Sequence, residues 1–295
     1  MSSVSNTDSI GNMGSINSIG NIGNMSSVNS AGSMGNMSSS SSFGGMTPLS
    51  SLVITYRNEL IRMFRRKKML AGVITAALIP IAAVLLKGLA IGWYITVINS
   101  EDLFRTALSL FTPLLLPLFT MILTADAFMD EQSKGSLRTS ILLPDVRSAH
   151  FTAKAASVFT GALCMLLALW LSSIVSGIAV PSRGEWLTSV AFGLLQCLAS
   201  LLPVLIVVGF SSLAAQCFKS VGGMIVVLIG LNIILNILPL WLGGFSRLLP
   251  TAWLGFGANI GSLSANSILT AVAAAVFWSA VTFGTAMLRF ERRMV

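Results

Sequence analysis

Few side chains in this 295-residue chain could carry bond-making chemistry. The three cysteines, Cys164, Cys197 and Cys217, fall inside or at the edges of apolar runs, and no pair has metal or redox spacing. They read as small buried thiols. The one histidine, His150, has no second His or Cys near it and reads as a solvated or interface residue. Hydrolysis needs a nucleophile with a base, or a metal site, and neither constellation is present, so a membrane enzyme is disfavoured. No G-x-x-x-x-G-K-S/T occurs, so the chain has no phosphate cradle and any ATP chemistry must sit on another polypeptide. What remains is polar but unreactive: the amides Gln196, Asn232 and Asn236, each within an apolar run. Asn232 and Asn236 are four apart and share a helical face. They either bond between helices or line a substrate path.

The elements that must position these residues follow from composition. The chain is 54% hydrophobic and 9% charged, with a mean hydropathy of +0.85. A soluble domain carries about 25% charged residues, so this chain cannot clothe itself in polar surface and lipid must be its main solvent. A helix needs about 20 apolar residues to cross a bilayer. Six runs qualify: 70–93, 106–125, 155–178, 187–213, 221–242 and 266–288. Of the 18 cations, only Lys87, Arg105, Arg183 and Arg247 fall on one side of these runs; the others, from Arg57 to Arg293, fall on the opposite side. The positive-inside rule then predicts both termini in the cytoplasm. Trp93, Tyr94, Trp186, Trp241 and Trp253 gather near the outer boundary, as interface anchors do. The pI near 10 reflects cations placed beside apolar spans, which argues against a nucleic-acid partner.

The predicted spans hold no Asp, Glu or His at depth; Asp126 and Lys87 sit at the ends of theirs. Ion-coupled transporters generally need such groups, which weighs against an ATPase-independent secondary transporter. Pro80, Pro113, Pro117 and Pro203 can kink their helices. Ser173 with Gly177 and Ala271 with Ala275 are small-residue pairs suited to close helix packing.

Residues 1–46 are a separate segment. From Gly11 a twelve-residue unit of Ser, Gly, Asn and Met repeats three times, as GNMGSINSIGNI, GNMSSVNSAGSM and GNMSSSSSFGGM. It buries too little apolar surface to offset the entropy of ordering and reads as a disordered tail. It lacks the basic start and apolar core of a signal peptide. A tether and a tolerated repeat expansion, with translation starting at Met46, are both open readings. Residues 47–68 predict an amphipathic helix lying in the inner interface. Thr47 caps it, Pro48 opens it, and Leu49, Leu52, Val53, Tyr56, Leu60, Met63 and Phe64 form its apolar stripe. Its cations would lie among anionic headgroups.

One sizeable loop, within 126–154, joins the second and third runs: EQSKGSLRTSILLPDVRSAHFTAK from position 131. Gly135 breaks the helix that enters it. SLRTSILL then forms a short piece with Leu137, Ile141 and Leu142 on one face, and Pro144 stops it. An exposed apolar face needs a partner, on this chain or another.

These residues carry a resemblance. Glu131, three residues, Gly135, Ser136, Leu137, then Leu142, Leu143, Pro144, two residues, Arg147 and finally Lys154 resemble the loop of the ABC-2 class of ABC transporter permeases. That family reads roughly E-x-x-x-G-T-L, an L-L run, P-x-x-R and a later K; Ser136 stands where Thr is commoner. TADAF at 124–128, the basic N-terminal lead and the closing LRFERR at 288–293 fit as well. Importer permeases place I-x-L-P ten residues after the glycine of an E-A-A motif. Here Gly135 to Ile141 is six and no such motif precedes it, so export is the better reading.

The resemblance implies an all-α membrane protein with six transmembrane helices over 69–295, multi-pass in the plasma membrane, and not itself an enzyme. Its partners would be a second permease subunit, like or unlike, and a separate ATP-binding subunit that holds ATP and Mg; the chain itself would carry no cofactor. The loop residues Glu131, Gly135, Ser136, Leu137, Ile141, Leu142, Leu143, Pro144, Arg147 and Lys154 would couple to that ATPase, and the 243–264 segment would dip into the outer membrane face. Within the family, a subunit of an antibiotic-immunity or sensing complex is the alternative to an exporter.

Overall fold

Once water is excluded, every backbone N–H and C=O must be satisfied within its own segment, and long apolar runs therefore become helices. The computed structural model describes residues 48–89, 100–134, 144–179, 186–218, 220–242, 249 and 253–292, and no strand occurs among them. The chain divides into units 1–44 and 45–295, and the described residues all belong to the second. The tail over 1–46, Trp93, Tyr94 and the loop residues Gly135, Ser136, Leu137, Ile141, Leu142 and Leu143 lie outside the described residues.

The elements in order are α1 (Pro48–Phe64), α2 (Lys67–Leu89), α3 (Ser100–Leu110), a π-helical turn (Phe111–Leu115) and α4 (Leu116–Lys134). Then follow α5 (Pro144–Gly177), α6 (Trp186–Ala199), α7 (Leu201–Cys217) and α8 (Val221–Ile237). The four-residue α9 (Pro239–Leu242), α10 (Phe256–Asn259) with a 3₁₀ turn (Ile260–Ser262), and α11 (Ala265–Arg292) complete the set. Five segments are long and apolar enough to cross a membrane: Lys67–Leu85, Asp102–Met129, Ser148–Gly177, Leu187–Cys217 and Ala265–Phe290. This is the architecture of a multi-pass membrane protein. The remaining expected span, 221–242, is shorter than its apolar run. Pro239 follows closely, and α8 stops at Ile237 after 17 residues. At 1.5 Å per residue it reaches about 25 Å, less than the roughly 30 Å of a hydrocarbon core.

α5 is the hub, packing against α1, α2, α3, α4, α6 and α7. Its buried residues Val158, Ala162, Met165, Leu166 and Leu169 recur at three- and four-residue spacing, as one face of a helix must. α7 packs on α4 and α11. A Cβ at Gly209 would lie 2.1 Å from Thr282 Oγ1, so α7 and α11 meet nearly backbone to side chain there. Apolar residues such as Val226, Ile234, Val276 and Phe277 turn outward, the faces a bilayer would solvate.

Three expectations are corrected. Pro144 does not merely stop the loop segment; it opens the 34-residue α5, its fixed φ suiting a first helical turn. α1 is rotated a little relative to the predicted stripe: Val53 and Phe64, placed on it, are exposed, and Glu59, left off it, is buried, while Met63 faces inward as predicted. Trp253 is not an exposed interface anchor but is buried against Phe256, with ring centroids 6.4 Å apart. Trp241, by contrast, is 85% exposed.

Candidate functional site

The loop is slung between two rigid rods. α4 runs to Lys134, with Glu131 in its last turn, and α5 begins at Pro144, with Arg147 in its first turn. Just inside these rods lies a cluster of charges that joins four helices. Lys68 Nζ, at the start of α2, donates to Asp126 Oδ1 of α4 at 2.7 Å, and Arg66 Nη1 lies 3.4 Å from Asp126 Oδ2. The next residue on α4 offers its backbone: Lys154 Nζ of α5 donates to the Ala127 carbonyl at 2.7 Å. The same ammonium lies 3.7 Å from Glu59 Oε1 of α1 and 6.0 Å from the Phe128 ring centroid. Arg62 Nη1 stands 3.8 Å from that Glu59 oxygen.

Burial decides what these contacts do. Lys154 is 2% exposed, Asp126 5% and Glu59 8%. A charge removed from water is tolerable only when it is compensated: Asp126 and Lys154 are both paired and hydrogen-bonded, and Glu59 is paired with Lys154 and Arg62. Nearby, Tyr56 of α1 meets Thr160 of α5 at 2.8 Å. Thr160 Oγ1 already donates to the Ala156 carbonyl, so the Tyr56 hydroxyl is the donor. Met63 of α1 packs against Gly161. The rings of Phe128, Phe151 and Phe290 stack at 5.3 and 5.7 Å, bringing the C-terminal end of α11 to the same place. Arg289 Nη1 donates to Cys217 Sγ at 2.8 Å, joining the ends of α11 and α7. Thus α1, both roots of the loop and the last turns of α7 and α11 share one end of the molecule.

The ionisable groups at this end stay near the ends of their segments, yet protein surrounds them. Asp126 and Lys154 lie within the membrane-crossing segments Asp102–Met129 and Ser148–Gly177, and both are enclosed by protein. Lys154 points at Glu59 and Ala127, into the bundle. Glu59 was not picked out from the sequence. The signal was there: it is the one acid among six cations between positions 47 and 68, and it lies between Tyr56 and Met63 on the face turned to the bundle.

The amides lie elsewhere and have separate partners. Gln196 Nε2 of α6 donates to the Ala258 carbonyl of α10 at 3.3 Å. That bond and a close contact seat the 253–263 segment: a Cβ at Gly257 would lie 1.9 Å from Ser200 Oγ and 2.6 Å from the Gln196 carbonyl. Asn232 Nδ2 of α8 donates to the Pro113 carbonyl at 3.4 Å. Pro117, four residues on from Pro113, has no N–H to offer that carbonyl, and Asn232 supplies one across the helix interface. Pro113 likewise cannot bond back into its own helix. The chain widens there into the π-helical turn, and the Thr112 hydroxyl donates to the Leu108 carbonyl. Asn236 Nδ2 donates to the Asn232 carbonyl at 2.8 Å and lies 3.3 Å from Asn232 Oδ1. Beside Asn232 is a small apolar cavity of about 40 Å³, bordered by Met121, Ile206, Phe210 and Leu254 among others.

Among the described residues, no three His, Cys, Asp or Glu side chains could hold a metal together. His150 is half-buried on α5, and the three cysteines are unbridged. The chain matches no protein-family model and no curated protein.

Proposed function

We propose that this chain is the membrane-spanning subunit of an ATP-driven exporter, coupled through its 131–147 loop to a separate ATP-binding subunit. One observation carries the reading: the loop is borne by two long helices whose roots are tied to each other by the Lys154–Ala127 hydrogen bond and to α1 by the buried Lys154–Glu59 ion pair. A force applied to such a loop passes along α4 and α5 into the bundle. The shared end of α1, the loop roots and α11 supports a cytoplasmic position for both termini, since the cations concentrate there. Counting the short α8 as a span gives the six crossings that this topology requires. The spacing from Glu131 to Lys154 supports the same reading, as does the lack of a phosphate cradle on the chain.

The test is capture of a co-expressed ATPase from the neighbouring reading frame, in detergent, by the tagged full-length chain. The double variant Leu137→Asp, Ile141→Asp is expected to reduce capture at least tenfold while membrane insertion survives. Capture unchanged by the variant counts against docking through the loop. Failure of the wild type to capture any ATPase favours an ATPase-independent transporter instead.

A further inference from the structure

The cluster at the loop roots has a feature that neither the loop sequence nor the span pattern requires: its central cation is almost wholly buried and bridges two helices that are not neighbours in sequence. We infer that Lys154 is a positioning residue. With Glu59 and the Ala127 carbonyl it forms a clamp that makes α1 part of the rigid body carrying the 135–143 loop. The inference rests on the exporter reading for its purpose and on the geometry for its existence.

The geometry is specific. Lys154 Nζ has two oxygen partners on different helices, Ala127 O of α4 at 2.7 Å and Glu59 Oε1 of α1 at 3.7 Å. The adjacent Asp126 reaches the opposite way, to Lys68 at 2.7 Å and Arg66 at 3.4 Å, where α1 turns into α2. α1 is therefore held near its C-terminal end both directly and through the turn that follows it. Along its length, Tyr56 and Met63 set its rotation against Thr160 and Gly161. An amphipathic helix held only by lipid would slide or roll when the loop is pushed. Clamped, α1 moves with α4 and α5, and displacement of the loop is passed into the spans. A hydrophobic contact alone would not do this as well, because it is non-directional and tolerates slip. One charge-assisted hydrogen bond to Ala127 and one ion pair to Glu59, both from a single ammonium, define a distance and a direction.

Two readouts test the clamp with the full chain in lipid nanodiscs. The first needs no partner: amide hydrogen exchange along α1. In Lys154→Met and in the nearly isosteric Glu59→Gln, exchange over residues 48–64 is expected to quicken at least tenfold, with α7 and α11 unchanged. Unchanged α1 exchange overturns the clamp. The second uses the co-expressed ATPase: ATP hydrolysis of the complex relative to the ATPase alone. Lys154→Met is expected to capture the ATPase within twofold of wild type yet lose about tenfold in stimulated hydrolysis. Lys154→Arg, which keeps donors for both oxygens, should retain at least half. Full stimulation in Lys154→Met, with α1 released, overturns the positioning role. Should Lys154→Met not reach the membrane, Glu59→Gln carries both measurements. If the wild type captures no ATPase, the exporter reading fails, and the exchange rates alone decide whether the clamp exists.

Discussion

The two ends of this molecule are held together by different physics. At the loop end, α1, α2, α4 and α5 are joined by Glu59, Asp126, Lys68, Arg66 and Lys154, with full charges at partner distances of 2.7 to 3.7 Å. At the other end, the 253–263 segment is seated by a neutral amide on a carbonyl and by the absence of a side chain at Gly257. Charges give direction and are costly to leave unpaired. Close contact of small residues gives fit and is costly to overfill. One end is therefore built to break when a partner is removed, the other when an atom is added.

The largest effect should come from removing the buried ammonium. Breaking a buried pair leaves a poorly compensated charge, at a cost of up to about 3–5 kcal/mol. Lys154→Met, which leaves Glu59 only the partly exposed Arg62 at 3.8 Å, should lower the Tm in detergent. A Tm within a degree of wild type would show that Arg62 or water compensates Glu59 fully. Next is the overfilled end. Gly257→Val puts a side chain where backbone and Ser200 Oγ already stand. The expected loss is about 1–3 kcal/mol, read as proteolytic sensitivity confined to the 253–263 segment. If cleavage appears at the loop end instead, the two ends are not independent.

A third change should stabilise. Gln216 on α7 is 4% exposed, and neither atom of its amide has a hydrogen-bond partner. A buried polar group left unsatisfied costs about 1–3 kcal/mol, so Gln216→Met, of similar shape, should raise the Tm. A fall would mean the amide is satisfied by a water or ligand in the membrane. The smallest effect belongs to Lys68→Ala. The Lys68 side chain is 53% exposed, so its pair with Asp126 contributes less than about 1 kcal/mol and should weaken further at high salt. A large, salt-independent loss there would make the Asp126 side of the cluster as important as the Lys154 side.

Much of the fold was legible in the residues. Charge depletion and apolar run length announce membrane-crossing helices, because both measure what a segment can bury without help from the rest of the chain. The 70–93, 106–125, 155–178, 187–213 and 266–288 runs each overlap a helical segment long and apolar enough to cross. Boundaries were less legible. α5 starts eleven residues before its apolar run, because Pro144 and the charged lead-in continue the helix beyond the part that lipid would solvate. The 187–213 run is one apolar stretch but two helices, interrupted at Ser200 where Gly257 presses in. The site was half legible. Lys154 could be found by its spacing from Pro144, but its inward aim could not. The amides Gln196 and Asn232 could be found by their depth, but not their carbonyl partners, 62 and 119 residues away.

The chain's composition and run lengths determined by themselves that lipid is the solvent and that the backbone must be helical. These are sums over neighbouring residues, and no distant contact can change them. Only the tertiary structure decided which way α1 faces, where Lys154 points, and which carbonyl Asn232 reaches. Each of these is a pairing between groups far apart in sequence. Buried charges and amides choose partners by distance and direction, and a linear pattern of hydrophobicity carries neither.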